Sequence, residues 1–268
     1  MLPKNLIVAA YLASALRYFV FAGLSYMIFY CWEKDKFRKF KIQAAEPGKA
    51  VINSELKYSI STIVIFASMA LLVMRSPLNA YTKVYHNLGD HSAWYFIFSV
   101  FAAIFIHDTY FYWTHRLMHW KKIFPYVHHI HHKSHNPTPL AAFSFHPFEA
   151  VVEIGVLPVI VFLIPIHPLA VGIFSLYMIV LNVIGHLGFE FMSERFVQNK
   201  VLRLFNTSTH HNMHHHYNKS NFSLYFNFWD RLMGTLHKQY EVQFKNVARK
   251  ARENNGTNFQ QKIETINS

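Results

Sequence analysis

Four long apolar segments lie along the chain, and three of them have the length of a single membrane helix. The first covers residues 6–32 and is interrupted only by Arg17. Such a run is too long for the core of a signal peptide, so we expect a retained helix. The second and third cover residues 58–74 and 94–114, and the third carries His107 and Asp108. Crossing a bilayer takes roughly 17–25 apolar residues, which each segment supplies.

The fourth apolar segment, residues 151–187, is about twice as long as one span. Pro165 and Pro168 flank His167 near its middle, where a proline would break a helix. The segment is therefore predicted to be a helical hairpin that turns at residues 165–168. Hydropathy leaves open whether this hairpin crosses the membrane fully or enters and returns on one side.

Composition favours an integral membrane protein over a soluble one. Hydrophobic residues make up 52% of the chain and charged residues only 15%. Soluble domains carry about 25% charged residues. The single Cys31 excludes a disulfide scaffold and a cysteine-ligated iron–sulfur cluster. The predicted fold class is all-α, with about four transmembrane helices and a histidine-rich helical cap.

The distribution of Lys and Arg predicts the orientation of these helices. Residues 33–57 carry seven of them, against two in residues 75–93 and one before the first span. By the positive-inside rule the 33–57 loop is cytoplasmic, and counting spans then places every histidine cluster on that side. The membrane is expected to be a bacterial inner membrane or the endoplasmic reticulum. The Lys and Arg residues that give the net charge of +12 come after the apolar segments in the sequence. We therefore expect them to face lipid headgroups, and we expect no nucleic acid as a partner.

Sixteen of the 19 histidines lie between His107 and His216, and the first cluster holds two of them on one helical face. His115 and His119 are four residues apart, so a helix places both imidazoles side by side. Asp108 precedes His115 by seven residues, two turns back on the same face. It is therefore a candidate to hold the second ring nitrogen of a histidine ligand.

The second and third clusters share the spacing H-x-x-H-H. They consist of His128, His131 and His132, and of His211, His214 and His215. Together with the first pair, eight histidines are available for two metal ions. Neutral imidazole suits iron, zinc, copper or nickel, so spacing alone does not choose the metal.

These three clusters resemble the histidine boxes of the fatty acid hydroxylase / sterol desaturase superfamily. The boxes are H-x-x-x-H at 115–119 and H-x-x-H-H at 128–132 and 211–215. Flanking residues are similar as well: Tyr112-Trp113 before the first box, Phe145-His146-Pro147-Phe148-Glu149 after the second, and Phe228-Trp229-Asp230-Arg231 after the third. The resemblance divides the chain into N-terminal membrane helices with a basic loop (1–93), a catalytic region (94–240) and a polar C-terminal tail (241–268).

The resemblance implies an integral-membrane oxygenase with two iron ions bound by the eight box histidines, although such sites can also bind zinc. It implies a further ligand from the helix between the second and third boxes, and His186 is the matching residue. O₂ is the implied co-substrate. A fused cytochrome b5-like domain does not fit in 268 residues, so we expect a separate electron donor: a cytochrome b5-like protein, a ferredoxin or a reductase.

Four further residues are expected to support the ligands without binding metal themselves. They are Asp108, His135, His146 and His210. Each lies near a box in the sequence, and metal-bound imidazoles usually donate their second ring N–H to such a neighbour.

The predicted activity is hydroxylation of a C–H bond in a fatty acyl or sterol-type lipid, with O₂ and external electrons. Desaturation by the same site is the first alternative. A zinc hydrolase is disfavoured because the chain has no His-Glu-x-x-His motif. A metal transporter would need ionisable groups across the membrane midplane, where the predicted spans have almost none.

Overall fold

The protein is a bundle of helices, as the apolar pattern predicts. The computed structural model describes residues 4–267, with side chains to residue 253. Within this range there is no β-strand, only three isolated bridges between loops. The longer helices are α1 Lys4–Trp32, α2 Lys49–Arg75, α3 Ala93–Met118, α4 Pro147–Ile154, α5 Val156–Leu163, α6 Pro168–Gly185, α7 Ser208–Tyr217 and α8 Tyr240–Asn267.

Short helices connect these elements. Single α-turns cover Lys34–Phe37, Phe124–Val127, Arg195–Gln198 and Phe228–Leu232. Tighter 3₁₀ turns cover Arg38–Phe40, Pro77–Tyr81, Leu88–Asp90, His131–Lys133, Pro139–Phe143 and Leu202–Leu204.

Four of the helices, α1, α2, α3 and α6, are long and apolar enough to cross a membrane. This confirms the all-α class and the expected number of spans. Helix α2 begins nine residues before the apolar run that predicted it, so its first turns lie outside that run. There the buried Glu55 accepts a hydrogen bond from the Thr138 hydroxyl at 2.5 Å, which ties α2 to the polar end of the bundle.

The hairpin predicted for residues 151–187 is present and reaches the far end of the bundle. Its first arm is α4 and α5, which meet at Gly155, and its second arm is α6. At the turn, Ile166 accepts a hydrogen bond from the Tyr85 amide, and Pro165 accepts one from the Tyr95 hydroxyl at 3.0 Å. These partners belong to the connection between α2 and α3 and to the start of α3. The hairpin therefore runs the full length of the bundle.

The basic loop after α1 packs at the opposite end, beside the histidines. Ile42 donates its amide to the Gly188 carbonyl, and Gln43 donates to the Asn212 side chain at 2.8 Å. Gly188 has φ +77°, and a Cβ there would collide with the Tyr30 hydroxyl. The 33–57 loop, with its seven Lys and Arg residues, and the histidine clusters thus share one end of the molecule.

Helix α8 packs against the outer side of the helix that carries the third histidine box. Tyr240, Phe244 and Ala248 are buried and form one stripe at four-residue spacing. They pack against Met213 of α7 and Val197. The helix therefore supports α7, which carries three of the predicted ligands.

Candidate metal centre

All nine histidines predicted as ligands gather at one end of the bundle, in two groups. Within each group the nearest ring nitrogens all lie within 4.8 Å of one another. We call the first group the pentad: His115, His119, His128, His132 and His214. We call the second the tetrad: His131, His186, His211 and His215. Only His119 is partly exposed, and the other eight are buried.

Each H-x-x-H-H box divides its residues between the two groups. The second box gives His128 and His132 to the pentad and His131 to the tetrad, whereas the third box gives one residue to the pentad and two to the tetrad. The two groups therefore adjoin, and the ring centroids of His132 and His215 lie 4.8 Å apart. Helical spacing explains the division, because residues one position apart point in directions about 100° apart.

Helix ends place the first and third boxes. His115 lies in the last turn of α3, and His119 caps that helix. Helix α7 begins where the Thr207 hydroxyl accepts the His210 amide, and it ends at Asn218, whose φ of 59° stops the helix. His186 is the C-terminal cap of α6, so it joins the site at the point where the hairpin returns.

The ring nitrogens face each other at distances that suit a cation between them. Pairs of Nε2 atoms lie 3.0–3.1 Å apart in the pentad and 2.9–3.3 Å apart in the tetrad. With the metal–nitrogen distance of about 2.0–2.1 Å known for imidazole, two nitrogens on one ion lie about 3.0–3.4 Å apart. The observed spacing therefore suits one ion in each group.

Hydrogen bonds at the opposite ring nitrogen leave Nε2 free to bind a metal. The Nδ1 atoms of His115 and His214 donate to the Phe222 and Ser220 carbonyls, both at 2.7 Å. In the tetrad, Nδ1 of His186 donates to the Asn182 carbonyl at 2.8 Å. A carbonyl oxygen can only accept, so the ring proton lies on Nδ1 and the Nε2 lone pair points into the group. Without a cation these lone pairs would repel one another.

Burial keeps these imidazoles neutral, which metal binding requires. It lowers the pKa of His186 to about 4, although the hydrogen bond to the Asn182 carbonyl opposes the shift. Burial, together with the neighbouring histidines, also lowers the pKa well below the usual value for other ligands. Those outside the membrane segments are His119, His128, His131, His132, His211, His214 and His215. At neutral pH the two groups therefore present uncharged donors.

Asp108 does not hold a ligand, contrary to the sequence-based expectation. Its carboxylate accepts the backbone N–H groups of Tyr225 and Phe226, at 2.7 and 3.3 Å. Seven residues along a helix correspond to a rise of about 10 Å, which is too far for the Asp108 side chain to reach the His115 ring. Asp108 instead fixes the loop that follows the third box.

Glu149 occupies the position expected for Asp108. One carboxylate oxygen lies 2.7 Å from Nδ1 of His128, and both side chains are buried. The resemblance of the Phe145–Glu149 segment to the family could have pointed to Glu149. Spacing along the chain, however, gives no indication that this segment folds back onto the second box. Burial raises the pKa of Glu149 well above its usual value, and a cation held by His128 would oppose that shift and favour the charged carboxylate.

The other three predicted supporting residues are divided between the surface and the interior. His135 is exposed, and His146 caps α4 by accepting the Phe148 amide. His210 is fully buried, and its Nε2 lies 3.2 Å from the Asp230 carboxylate. Neither His135 nor His146 belongs to the pentad or the tetrad.

Asp230 organises the loop that supports two pentad ligands. Its carboxylate accepts the amides of Phe222 and Ser223, at 2.9 and 3.0 Å. The carbonyl of Phe222 in turn holds His115. Burial alone would raise the pKa of Asp230, but His210 and these N–H donors hold it below its usual value. Asp230 therefore remains ionised and positions the ligand through the loop.

The Glu149→Gln substitution tests this outer layer of the site. Glutamine still offers an oxygen to His128 but loses the negative charge, so we expect metal affinity to fall by about 10–100-fold. The measurement is metal retained after a timed challenge with a chelator. Glu33→Gln, at an exposed position, is the matched control and should retain metal like the wild type. Equal retention by both variants would show that the Glu149 charge does not support the ligand.

An apolar cavity of about 280 Å³ approaches both groups from within the bundle. Two of its lining rings contact ligands: Phe111 packs on His115 with centroids 4.8 Å apart, and Phe145 packs on His131 at 5.2 Å. The cavity follows one face of α6 from Pro168 to Asn182, a rise of about 21 Å. It has the length and character to hold an elongated apolar molecule with one end at the histidines.

Comparison with known proteins places the same region in a defined sequence family. The sequence model of the fatty acid hydroxylase family matches residues 100–235. Lathosterol oxidase of Rattus norvegicus is 28% identical over 235 residues, which cover 87% of this chain and 74% of the rat protein. The human protein of that name is 25% identical, with the same coverage of both chains.

Fungal proteins are similar to the same extent. Delta(7)-sterol 5(6)-desaturase of Leptosphaeria maculans is 27% identical and aligns with 85% of this chain and 60% of the fungal one. No solved structure matches the chain.

Proposed function

Because this chain belongs to the fatty acid hydroxylase family, we propose that it oxidises a C–H bond of a membrane lipid at a di-iron centre held by the pentad and the tetrad. The protein is an integral membrane protein and an O₂-dependent oxidoreductase, as its apolar helices and its family indicate. The observation that carries the proposal is the convergence of nine histidine Nε2 atoms in two adjoining groups at the end of an apolar cavity.

The donor set fits iron without being specific for it. Neutral nitrogen ligands suit iron and zinc alike, but zinc has no redox chemistry. Two iron ions would supply the activation of O₂ that C–H oxidation requires. We assign the pentad to one ion and the tetrad to the other.

The residues of the chain would contribute orientation and the exclusion of water. Phe111 and Phe145 line the end of the cavity beside the histidines and would keep the reacting carbon in an apolar environment. The carbonyls of Phe222, Ser220 and Asn182 fix the rings of three ligands. Ligand positions that do not relax during the reaction lower its reorganisation cost.

Hydroxylation is the main proposal, and desaturation is the second candidate. Hydroxylation would insert one oxygen atom of O₂ into the lipid and reduce the other to water with two electrons from a donor. Desaturation would remove two hydrogen atoms and reduce O₂ to two water molecules with the same external electrons. The names of the relatives, a lathosterol oxidase and a sterol desaturase, favour the second outcome and a sterol-type lipid.

A separate electron donor would dock beside the pentad, on the side that we assign to the cytoplasm. His119 is the one ligand that is partly exposed. The exposed Lys121 and Lys122 follow it closely in the chain, while Lys133 and Lys219 lie next to the second and third boxes. Such a basic rim suits an acidic electron-transfer protein, because opposite charges speed encounter.

Metal content and lipid products together test the proposed function. Protein purified in detergent after iron-supplemented expression is expected to hold two iron ions per chain. Lipid extracts of expressing cells should contain a new species shifted by about +16 mass units for hydroxylation or about −2 for desaturation, reflecting one added oxygen or two lost hydrogens. The double variant H128A/H214A removes two pentad ligands and should keep at most about one iron ion, in the tetrad, and lose the new lipid species. A protein that binds only zinc and shows no reductant-dependent O₂ uptake would contradict the proposal.

A further inference from the structure

The apolar cavity reaches the outer surface of the bundle between α1 and α6. Ser14 and Arg17 of α1 and Gly172 and Ser175 of α6 all line it. Gly172 is also exposed, so this residue lies on the cavity wall and on the outer surface of α6 at once. A Cβ at this position would meet no atom within 4 Å. The cavity therefore has a side opening, which we call the portal, bordered by these four residues.

Packing closes the same two helices on the histidine side of the portal. Tyr18 and Ala22 of α1 are buried in one core cluster with Ile179 and Val183 of α6. The cluster begins directly after Arg17 in α1 and one turn after Ser175 in α6. The portal therefore opens only in the part of the bundle that is farther from the histidines.

One hydrogen bond bridges the portal. The Arg17 guanidinium donates to the Ser175 hydroxyl, and no group among the described residues accepts from the buried Nε of Arg17. A neutral hydroxyl is a weaker partner for a guanidinium than a carboxylate, which can accept two parallel bonds. The bridge therefore holds the two helices together without locking them, and it can break and form again when a molecule passes.

The surroundings of the portal determine what can enter it. Helices α1 and α6 are both long and apolar enough to cross a membrane, and Arg17 lies near the middle of α1. Hydrocarbon, rather than water, therefore surrounds the opening. A helix of another chain is about 10–12 Å wide, so it cannot pass between two helices that a single side-chain bond bridges. The apolar part of a neighbouring lipid is narrow enough to do so.

The position of the portal also requires an elongated occupant. The rise along α6 from Gly172 to its C-terminal cap, His186, is about 21 Å. The cavity wall along this path includes the apolar side chains of Leu157, Phe174 and Met178. A lipid that keeps one end in the bilayer can therefore bring a distant carbon to the histidines.

We propose that the portal is the entrance through which a lipid of the surrounding bilayer passes its apolar part sideways into the cavity, and that Arg17 and Ser175 form a latch across this entrance. The inference rests on the proposed function for the lipid nature of the occupant. The latch controls how fast the lipid enters and leaves, whereas the cavity wall determines how tightly it binds.

The rate of lipid exchange tests the portal without any turnover. The probe is cis-parinaric acid, a chain whose fluorescence rises in an apolar site. Its binding to the full iron-loaded chain in detergent is followed by stopped flow without a reductant, and its release by displacement with oleic acid. Gly172→Phe fills the open space at the portal, so it should slow both association and dissociation by about 10-fold or more and change the affinity by less than about 3-fold.

A matched control adds the same bulk outside the portal. Ile173→Phe changes the next residue of α6, which is exposed and does not line the cavity, and it should exchange the probe like the wild type. Unchanged rates in Gly172→Phe, equal slowing in Ile173→Phe, or a wild type that binds no probe would overturn the portal. Ser14→Phe, on the opposite rim, replaces Gly172→Phe if that variant fails to fold.

Ser175→Ala tests the latch with the opposite sign. It removes the acceptor of Arg17, so both rates should rise by about 10-fold, the effect of one hydrogen bond to a charged group. Ser175→Thr keeps a hydroxyl group and should exchange the probe like the wild type. Unchanged rates in Ser175→Ala would overturn the latch. Iron content and O₂ uptake of the same preparations are separate readouts, so a protein that exchanges lipid as expected but binds no iron would contradict the proposed function and leave the portal in place.

Discussion

Replacing His186 with alanine is expected to reduce the iron content from about two ions per chain to about one and to lower turnover by far more than 100-fold. The tetrad would keep three ligands and the pentad all five. Loss of an outer partner of a ligand already costs about 10–100-fold in affinity or activity, so loss of the ligand itself should exceed that range. An oxygenase that needs both ions would then retain almost no activity.

The experiment compares iron content, Mössbauer spectra and product formation in His186→Ala with two matched controls. His129→Ala and His216→Ala remove exposed histidines that neighbour ligands in the second and third boxes but belong to neither group. Both controls should retain two ions and normal turnover. Full iron content and activity in His186→Ala would remove this residue from the centre and leave the tetrad with three box histidines.

Acidification is expected to release the metals and destabilise the protein below about pH 6.5. The direction of this change in stability follows from the histidine pKa values. In the unfolded chain a histidine titrates near pH 6.5. In the folded chain burial lowers the pKa of His186 to about 4. Between these values the unfolded state binds a proton that the folded state does not, so stability falls as the pH is lowered through this window.

The effect should be large because many histidines contribute in the same direction. A difference of about 2.5 pKa units corresponds to about 3 kcal/mol for His186 alone, fully expressed only near pH 4. The melting temperature and bound iron are to be followed from pH 7.5 to pH 5. His186→Gln, which removes one such group, should show a shallower decline of stability in the metal-free protein. A melting temperature that stays constant from pH 7 to pH 5 would contradict buried neutral ligands.

The sequence predicts the helices and the ligand histidines because both depend on periodicity. Apolar length identifies the membrane helices, and the prolines at 165 and 168 identify the hairpin turn. The boxes identify residues that share a helical face, and the structure gathers those residues into two groups. Only the family resemblance singles out His186, since a lone histidine at a helix end has no periodic pattern.

The supporting residues could not be predicted in this way because they depend on how loops fold back. Glu149 lies 21 residues after His128, and nothing in the intervening sequence specifies that the two side chains meet. His210 is adjacent to a ligand but turns toward Asp230 in the next loop. Asp108 shares a helical face with His115 but lies two turns away, and the Phe222 carbonyl already occupies the His115 ring nitrogen. Loop conformation, rather than residue type, decides these contacts.

The division of the H-x-x-H-H boxes between pentad and tetrad has a consequence for the order in which a newly made chain can take up metal. Four of the five pentad histidines precede residue 133, whereas three of the four tetrad histidines follow residue 185. During synthesis from the N-terminus, a nearly complete pentad emerges from the ribosome well before the tetrad has more than one ligand. The first ion can therefore be captured by a growing chain, and the second must wait until α7 has been translated and has docked.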